Sequence, residues 1–309
     1  MILIVSSATD IHSHLVMKEL RYLKADVTLL DLSKFRQPLE LAMHYGSSDR
    51  DCALQITSAI SLPLNDFRVI WWRCPHIADG EPNNSDRVNP AVGDTNIYQQ
   101  FASLSPAIDV FWVNHPLRNA TATNQAHLLR VSQEVGLGIP ATLITNNIQQ
   151  VQEFVSSNDA TYKLFSATEQ GWKEILVPIG DLLNVSDSLV YNSLVLQESI
   201  PSQFDVKVAI VGENIFSVAL YKIQHSQSKG NCESIRTEIF ELPSEIKTSL
   251  WQLISKLGLV YATVDLRLTP KYEWVLLGLN PVGDWLSFEE HTQQPITKSL
   301  AKLLASCDR

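Results

Sequence analysis

Residues 2–6 (ILIVS) form a short continuous apolar run, the pattern of a buried strand. The segment DIHSHLVMKELRYLK follows, with Asp10 placed to cap a helix and Ile11, Leu15, Val16, Leu20 and Leu23 along one helical face. DVTLLDL reads as a second strand. A βαβ opening implies a parallel sheet covered by helices. FRVIWWRC (67–74) and IDVFWVN (108–114) supply two more strands. Between them, residues 75–94 are polar and rich in Pro, Gly and Asn, which predicts a long surface loop.

A helix is expected from about Ala120 to Val135, closed by Gly136 and Gly138. IPATLITNN is a short strand leading into the helix IQQVQEFVSS. ATYKLFSA and KEILVPI read as a strand pair joined by TEQGW. SLVLQESIP, FDVKVAIVG and IFSVALYKI are three further strands. In the second of these, Phe204, Val206, Val208 and Ile210 point one way, while Lys207 and Ala209 point the other. SEIKTSLWQLISKLG is a helix with Ser244 as N-cap, an apolar face of Ile246, Leu250, Leu253, Ile254 and Leu257, and Gly258 as stop. LVYATVDLRL and YEWVLLGLN form an antiparallel pair around Thr269-Pro270-Lys271, and a last helix covers about Ile296 to Ala305.

Composition narrows the class. The 309 residues are 45% hydrophobic and 18% charged, enough for two or three domains with real cores. The net charge of −9 repels phosphate backbones, and no basic cluster offsets it, so a nucleic-acid partner is not expected. Cys52, Cys74, Cys232 and Cys307 have no metal-ligand spacing and read as isolated thiols of a reducing compartment. Nothing resembles a signal peptide or a membrane span, so a cytoplasmic protein without membrane contact is expected. Cys74 and His76 stand two apart at a strand end and read as incidental rather than as nucleophile and base.

Three strings carry more specific information: FWVNHPLRNATATNQAHLLRVSQEVGLGIPATLITN; LVLQESIP followed by FDVKVAIVG; and GLVYATVDLRLTP followed by YEWVLLGLNPVGDWLSFE. In this order they resemble the ATP-grasp ligases that macrocyclise ribosomal peptides, the microviridin or graspetide maturases. The resemblance spans nearly the whole chain. It implies an α/β fold, α+β in its C-terminal part. Residues 1–117 would be a βαβ domain preceding the ATP-grasp, 118–192 the central subdomain and 193–309 the core subdomain. It also implies an enzyme that phosphorylates an acidic side chain of a precursor peptide. A Ser/Thr hydroxyl or a Lys amine then attacks the acyl phosphate, giving an ester or amide. ATP and Mg²⁺ are the implied cofactors. A ribosomal precursor or leader peptide is the implied partner, with a homodimer or a heteromer with an active homologue as the assembly.

Carried over residue by residue, the resemblance is uneven. Val195, Leu196 and Gln197 match the backbone that reads adenine, and Glu198 the group that holds ribose. Lys163 matches a phosphate-binding lysine. Lys207 stands where the family has an arginine clamp, keeping the charge without the bidentate fork. Asp265 and Asn280 match two metal ligands, but the Glu expected two positions before Asn280 is Gly278. Asn124-Gln125 replaces an Asn-Lys pair, and the flap LFSATEQGW keeps only Gly171 of a glycine-rich loop. Each match has a plainer reading. Asp265 could be a polar residue facing a solvated groove, Asn280 a turn residue before Pro281, and Lys163, Lys207 and Glu198 solvated strand residues. Taken together, nucleoside features persist while phosphate and metal features are depleted. The expectation is a homologue with impaired phosphoryl transfer that binds a peptide, ATP and Mg²⁺ being cofactors only if it is active. The alternatives are a working ligase that recruits Glu289 or Glu290 to a rearranged metal site, and a ligase acting on a small molecule.

Overall fold

The computed structural model describes residues 1–31, 40–43, 52–57, 60–73, 97–156, 162–168, 171–177, 194–224 and 233–308. Its strands are β1 (Ile2–Val5), β2 (Val27–Leu30), β3 (Glu40–Met43), β4 (Cys52–Thr57), β5 (Ile60–Pro63), β6 (Val69–Trp72), β7 (Phe111–Val113), β8 (Thr142–Thr145), β9 (Tyr162–Thr168), β10 (Gly171–Val177), β11 (Leu194–Glu198), β12 (Phe204–Val211), β13 (Asn214–Gln224), β14 (Glu233–Ile239), β15 (Tyr261–Leu268) and β16 (Trp274–Asn280). Its helices are α1 (Ile11–Tyr22), α2 (Ile97–Leu104), α3 (Pro116–Ala122), α4 (Gln125–Glu134), α5 (Ile148–Ser156), α6 (Ser244–Leu257), α7 (Leu286–Thr292) and α8 (Ile296–Cys307).

The first sheet is parallel, in the order β2-β1-β6-β7. Its central strands β1 and β6 are short, apolar and buried along their whole length, the pattern of a parallel sheet covered on both faces. Asp10 caps α1 as expected, accepting from the backbone N–H groups of His12 and Ser13. The buried face of α1 is rotated from the expected one: His12, Ser13, Val16, Met17 and Leu20 are buried, while Ile11 is 60% exposed. The rotation follows from polar pairing. The Ser13 hydroxyl donates to the Asp10 carbonyl at 2.8 Å, and the His12 ring packs edge-on against Trp285 at 4.5 Å. A separate antiparallel sheet, β3-β4-β5, and the helix α2 have no counterpart in the sequence-based expectation.

The helix expected over about Ala120–Val135 is two helices. Asn124 breaks it by capping α4, its side chain accepting from the His127 N–H at 3.0 Å. Gly136 follows with φ +79°, the left-handed conformation that ends α4. Gly138 serves a different end: a Cβ there would lie 2.5 Å from the Trp274 carbonyl oxygen, where this linker runs against β16. The second sheet has the order β10-β9-β11-β8, with the expected β9–β10 hairpin. By its pairing with β8 and β9, β11 belongs to this sheet, so the division from the third sheet falls after Glu198.

The third sheet is antiparallel, in the order β14-β13-β12-β15-β16. One face is core over its whole length: Val206, Val208, Ile210, Val264 and Leu266 pack on Leu250, Leu253, Ile254 and Leu257 of α6 and on Leu128 and Val131 of α4. α6 ends as expected at Gly258, φ +67°. It starts differently, with Pro243 at the N-cap and Ser244 as its first residue. The other face is divided. Toward one end, Ala209, Val211, Val218 and Tyr261 pack with Leu300 and Leu304 of α8, Trp285, and α1 and β1 of the first sheet. Toward the other end the same face carries Lys207 and Asp265, both exposed. The burial pattern of β12, alternating at first and continuous later, records that change of cover. Among the described residues no helix is long and apolar enough to cross a membrane.

Candidate functional site

The exposed part of the third sheet's face collects Lys207, Asp265 and Asn280, three of the residues singled out for phosphate and metal, while Lys163 lies on β9 of the second sheet. In the β12–β15 register Lys207 stands opposite Asp265, and in the β15–β16 register Asp265 stands opposite Gly278 and Thr263 opposite Asn280. Directly opposed residues share a face, so Lys207, Asp265, Gly278 and Asn280 all face the cleft. The register shifts beside Asp265, which pairs with Gly278 while Leu266 pairs with Leu276. Leu277 is therefore the extra residue of a bulge, a device that re-aims neighbouring side chains.

The geometry shows what each of these groups is engaged with. The Lys207 ammonium lies 3.0 Å from an Asp265 carboxylate oxygen. The Asn280 side-chain oxygen accepts from the Val282 N–H at 2.9 Å, closing a turn before the chain leaves the sheet. A Cβ built at Gly278 meets nothing within 4 Å. Glycine is thus not forced on this position by crowding, and a longer side chain has room toward the cleft. One step along the same face, Arg267 clamps Asp205, with Nε and Nη2 at 2.6 and 2.8 Å from its two carboxylate oxygens, and also donates to the Ile200 carbonyl at 2.7 Å. Burial pushes the Asp205 carboxyl up, but the hydrogen bonds and charge of Arg267 outweigh it and hold it below the usual carboxylate range. Arg267 was not singled out in the sequence; its signal is the i, i+2 spacing from Asp265 that puts both on one face.

The residues matched to nucleoside recognition lie on β11. Val195, Leu196 and Gln197 are buried, and the Gln197 amide donates to the Thr142 hydroxyl at 3.1 Å. The Glu198 N–H donates to the Ala141 carbonyl at 2.9 Å. The β9–β11 register places Lys163 opposite Gln197; its side chain lies outside the described residues, as do Cys74 and His76 and part of the flap between β9 and β10. Asn124 is spent on capping α4. Of the two residues expected as recruits to a rearranged metal site, Glu289 has its carboxylate engaged by Thr297, through the backbone N–H at 2.9 Å and the hydroxyl, while Glu290 is exposed on α7. Among the described residues no group of three or more His, Cys, Asp or Glu side chains is arranged to hold a metal ion.

Immediately beyond Asn280 the chain enters a buried polar network that the sequence did not signal. Arg73, directly after β6, is only 1% exposed. It donates through Nε to Asp10 at 3.1 Å, through Nη1 to the Val282 carbonyl at 2.6 Å and through Nη2 to Asp284 at 2.9 Å. Its guanidinium also lies 5.1 Å from the centre of the Trp285 ring. Asn114, directly after β7, donates to the Tyr261 and Pro281 carbonyls at 2.8 and 3.0 Å and accepts from the Val260 and Tyr261 N–H groups. The Tyr261 hydroxyl donates to the Gly283 carbonyl at 2.6 Å, and burial pushes its pKa up.

No protein-family model and no curated protein sequence matches the chain. Solved structures match it over its full length. The macrocyclase MdnC from Microcystis aeruginosa MRC, bound with precursor peptide MdnA, is 21% identical and superposes with a TM-score of 0.81 over 99% of this chain and 100% of that one. A RiPP-associated ATP-grasp ligase from Chryseobacterium gregarium, in complex with ADP and a leader and core peptide, is 19% identical, with a TM-score of 0.76 over 100% and 98% of the two chains. The macrocyclase MdnB from Microcystis aeruginosa MRC is 24% identical, with a TM-score of 0.77 over 98% of each chain. The chain therefore has the fold of the ATP-grasp macrocyclases, end to end.

Proposed function

We propose that this protein is an ATP-grasp homologue of the graspetide maturase type that binds a ribosomal precursor or leader peptide and whose phosphoryl transfer is impaired. The fold supports the general assignment, since MdnC and the Chryseobacterium gregarium ligase have been solved with such peptides and the latter with ADP. The observation that carries the impairment is the state of the cleft face. Opposite Asp265 stands Gly278, with no side chain and no steric reason to lack one. That leaves Asp265, in an exposed pair with Lys207, and Asn280, whose oxygen also accepts a backbone hydrogen bond, as the oxygen donors of this stretch of the face. Magnesium bound with a nucleotide relies on very few protein carboxylates and demands oxygen donors in near-octahedral array. This donor set does not fit that requirement. The buried residues Val195 to Gln197 with Glu198 beside them support retention of a nucleoside-reading strand, and the commitment of Glu289 to Thr297 argues against its recruitment to a rearranged metal site.

Nucleotide-dependent stabilisation tests the proposal in wild type beside Gly278→Glu. Wild type with millimolar ATP and Mg²⁺ is expected to gain little in melting temperature. Gly278→Glu, which places a carboxylate between Asp265 and Asn280, is expected to gain more, toward the ~2.7 kcal/mol that accompanies ligand at about one hundred times its Kd. Tight, magnesium-dependent ATP binding by wild type, with ADP released in the presence of a precursor peptide, would overturn it.

A further inference from the structure

We infer that Arg73 is a positioning residue: from the first sheet it sets the turn that carries Asn280, so the N-terminal unit is a working part of the cleft rather than an appendage to it. The inference rests on the reading of the cleft proposed above. In open α/β sheets, ligands gather outside the carboxyl ends of the strands at the point where strand order reverses. Here that point lies between β1 and β6, because β1 is followed through α1 by β2 on one side while β6 and β7 lie on the other. Ser6 follows β1, Arg73 follows β6, and Asp10 heads α1. The groups that would receive a ligand there are turned on the protein's own chain. Arg73 holds Val282 and Asp284, Asn114 holds Pro281, and His12 and Trp71 flank Trp285.

The segment 281–285 is thus held from two sides, the first sheet and β15. Arg73 and Asn114 grip it from the first sheet. Tyr261 binds the Gly283 carbonyl from below. Thr263 packs so closely on Gly283 that a Cβ there would lie 1.7 Å from its hydroxyl oxygen. The Asn280 side chain takes its orientation from this segment, since its oxygen is held by the Val282 N–H and the Val282 carbonyl is held by Arg73. Arg73 is itself held by Asp10, which accepts from Ser6, from the α1 backbone and from Arg73 at once. A rigid chain of contacts therefore runs from α1 through Arg73 and Val282 to Asn280, and no member of it touches the cleft before the last.

Hydrogen exchange at the Val282 and Gly283 amides reads this without any ligand. In Arg73→Gln these amides should exchange on the order of tenfold faster or more, while amides shared by β12 and β15 keep their protection; Arg73→Lys should fall between the two. If Arg73→Gln loses protection throughout, Asp284→Ala replaces it, since Asp284 is 76% exposed and its loss removes one Arg73 contact without leaving a cavity. Unchanged exchange at Val282 and Gly283 in the folded variant overturns the inference. A second arm uses Mn²⁺ with ADP as the probe. Arg73→Gln added to Gly278→Glu should weaken Mn²⁺ binding on the order of tenfold, an effect of position because Arg73 does not reach the cleft. Equal Mn²⁺ affinity in the two also counts against the inference. If Gly278→Glu binds no Mn²⁺ at all, the reading of the cleft fails, and the exchange experiment still decides the role of Arg73.

Discussion

Two of the carboxylate–cation pairs on either side of Asn280, Arg73–Asp10 and Lys207–Asp265, differ in nearly everything but charge. Arg73 and Asp10 are 2% and 6% exposed and are tied to further groups on both sides. The side chains of Lys207 and Asp265 are 46% and 52% exposed, and among the described residues Lys207 pairs with that carboxylate. A pair in water contributes about 0–1 kcal/mol, because solvent and salt screen it and two flexible chains must be held. Removing one partner of a buried pair costs far more, because the remaining charge is stranded away from water. The buried pair is thus a structural rivet and the exposed pair an adjustable surface. The cleft can change its chemistry by single substitutions, as Gly278 suggests, without endangering the fold beside it.

Asp10 gives the largest expected effect. Asp10→Ala removes the buried one of the two carboxylates on Arg73, leaving Asp284, and uncaps α1; together these losses should lower the unfolding free energy by about 3 kcal/mol in urea denaturation. The pH dependence identifies the source. Burial pushes the Asp10 carboxyl up, but hydrogen bonds from His12 and Ser6 and the charge of Arg73 outweigh it and hold it well below the usual carboxylate range. A carboxyl depressed in the folded state stabilises fully above its unfolded pKa, about 4, and loses that contribution as pH falls toward its folded value. The gap between wild type and Asp10→Ala should stay constant from neutral pH down to about pH 5 and narrow below about pH 4. A gap as wide at pH 3 as at pH 7 would show that packing rather than charge separates the two pairs.

Gly283 sharpens the same contrast with an uncharged contact. Gly278 and Gly283 are five residues apart, yet a Cβ at the first meets nothing within 4 Å and at the second lies 1.7 Å from the Thr263 hydroxyl oxygen and 2.7 Å from the Thr263 Cβ. Gly283→Ala should cost about 1–3 kcal/mol, as overpacking does in a tight core. The cost should shrink in a Thr263→Ala background, which removes the closest atom. An unchanged cost in the double variant would mean that the segment 281–285 yields more readily than its hydrogen bonds imply.

These differences also explain what could be read in the sequence. A continuous apolar run located β1, which is buried along its whole length, and apolar periodicity located α1, β12, α6, β15 and β16, each of which buries a face against a neighbour. The face of α1 was misplaced because His12 and Ser13, polar by composition, are buried, His12 against Trp285 far along the chain and Ser13 with its hydroxyl on the Asp10 carbonyl. The sheet β3-β4-β5 and the strand β14 were missed: in ESIRTEI, Ile235 and Ile239 are more than 60% exposed, so no buried face imposes a pattern. The cleft residues were singled out through the resemblance, which implied Asp265 and Asn280 as metal ligands; spacing puts Gly278 and Asn280 on one face, and the β15–β16 register brings Asp265 beside them. Arg73 and Asn114 were not, since each acquires meaning only when the first sheet meets the segment 281–285, about 170 to 210 positions away.

The smallest expected effect lies at the exposed pair, and its smallness is the point. Lys207→Met and Asp265→Asn should each shift stability by less than about 0.5 kcal/mol, with a coupling energy between them of no more than about 1 kcal/mol in a double-mutant cycle. That coupling should fall further at high salt, because the Debye length drops from about 10 Å at 0.1 M to about 3 Å at 1 M. A coupling well above this, indifferent to salt, would mean that the pair is shielded from water in solution. The cleft face would then be closed over, and the contrast with Arg73 and Asp10 would disappear. A weak, salt-sensitive coupling leaves Asp265 free to exchange its partner, as any cation entering beside Gly278 would require.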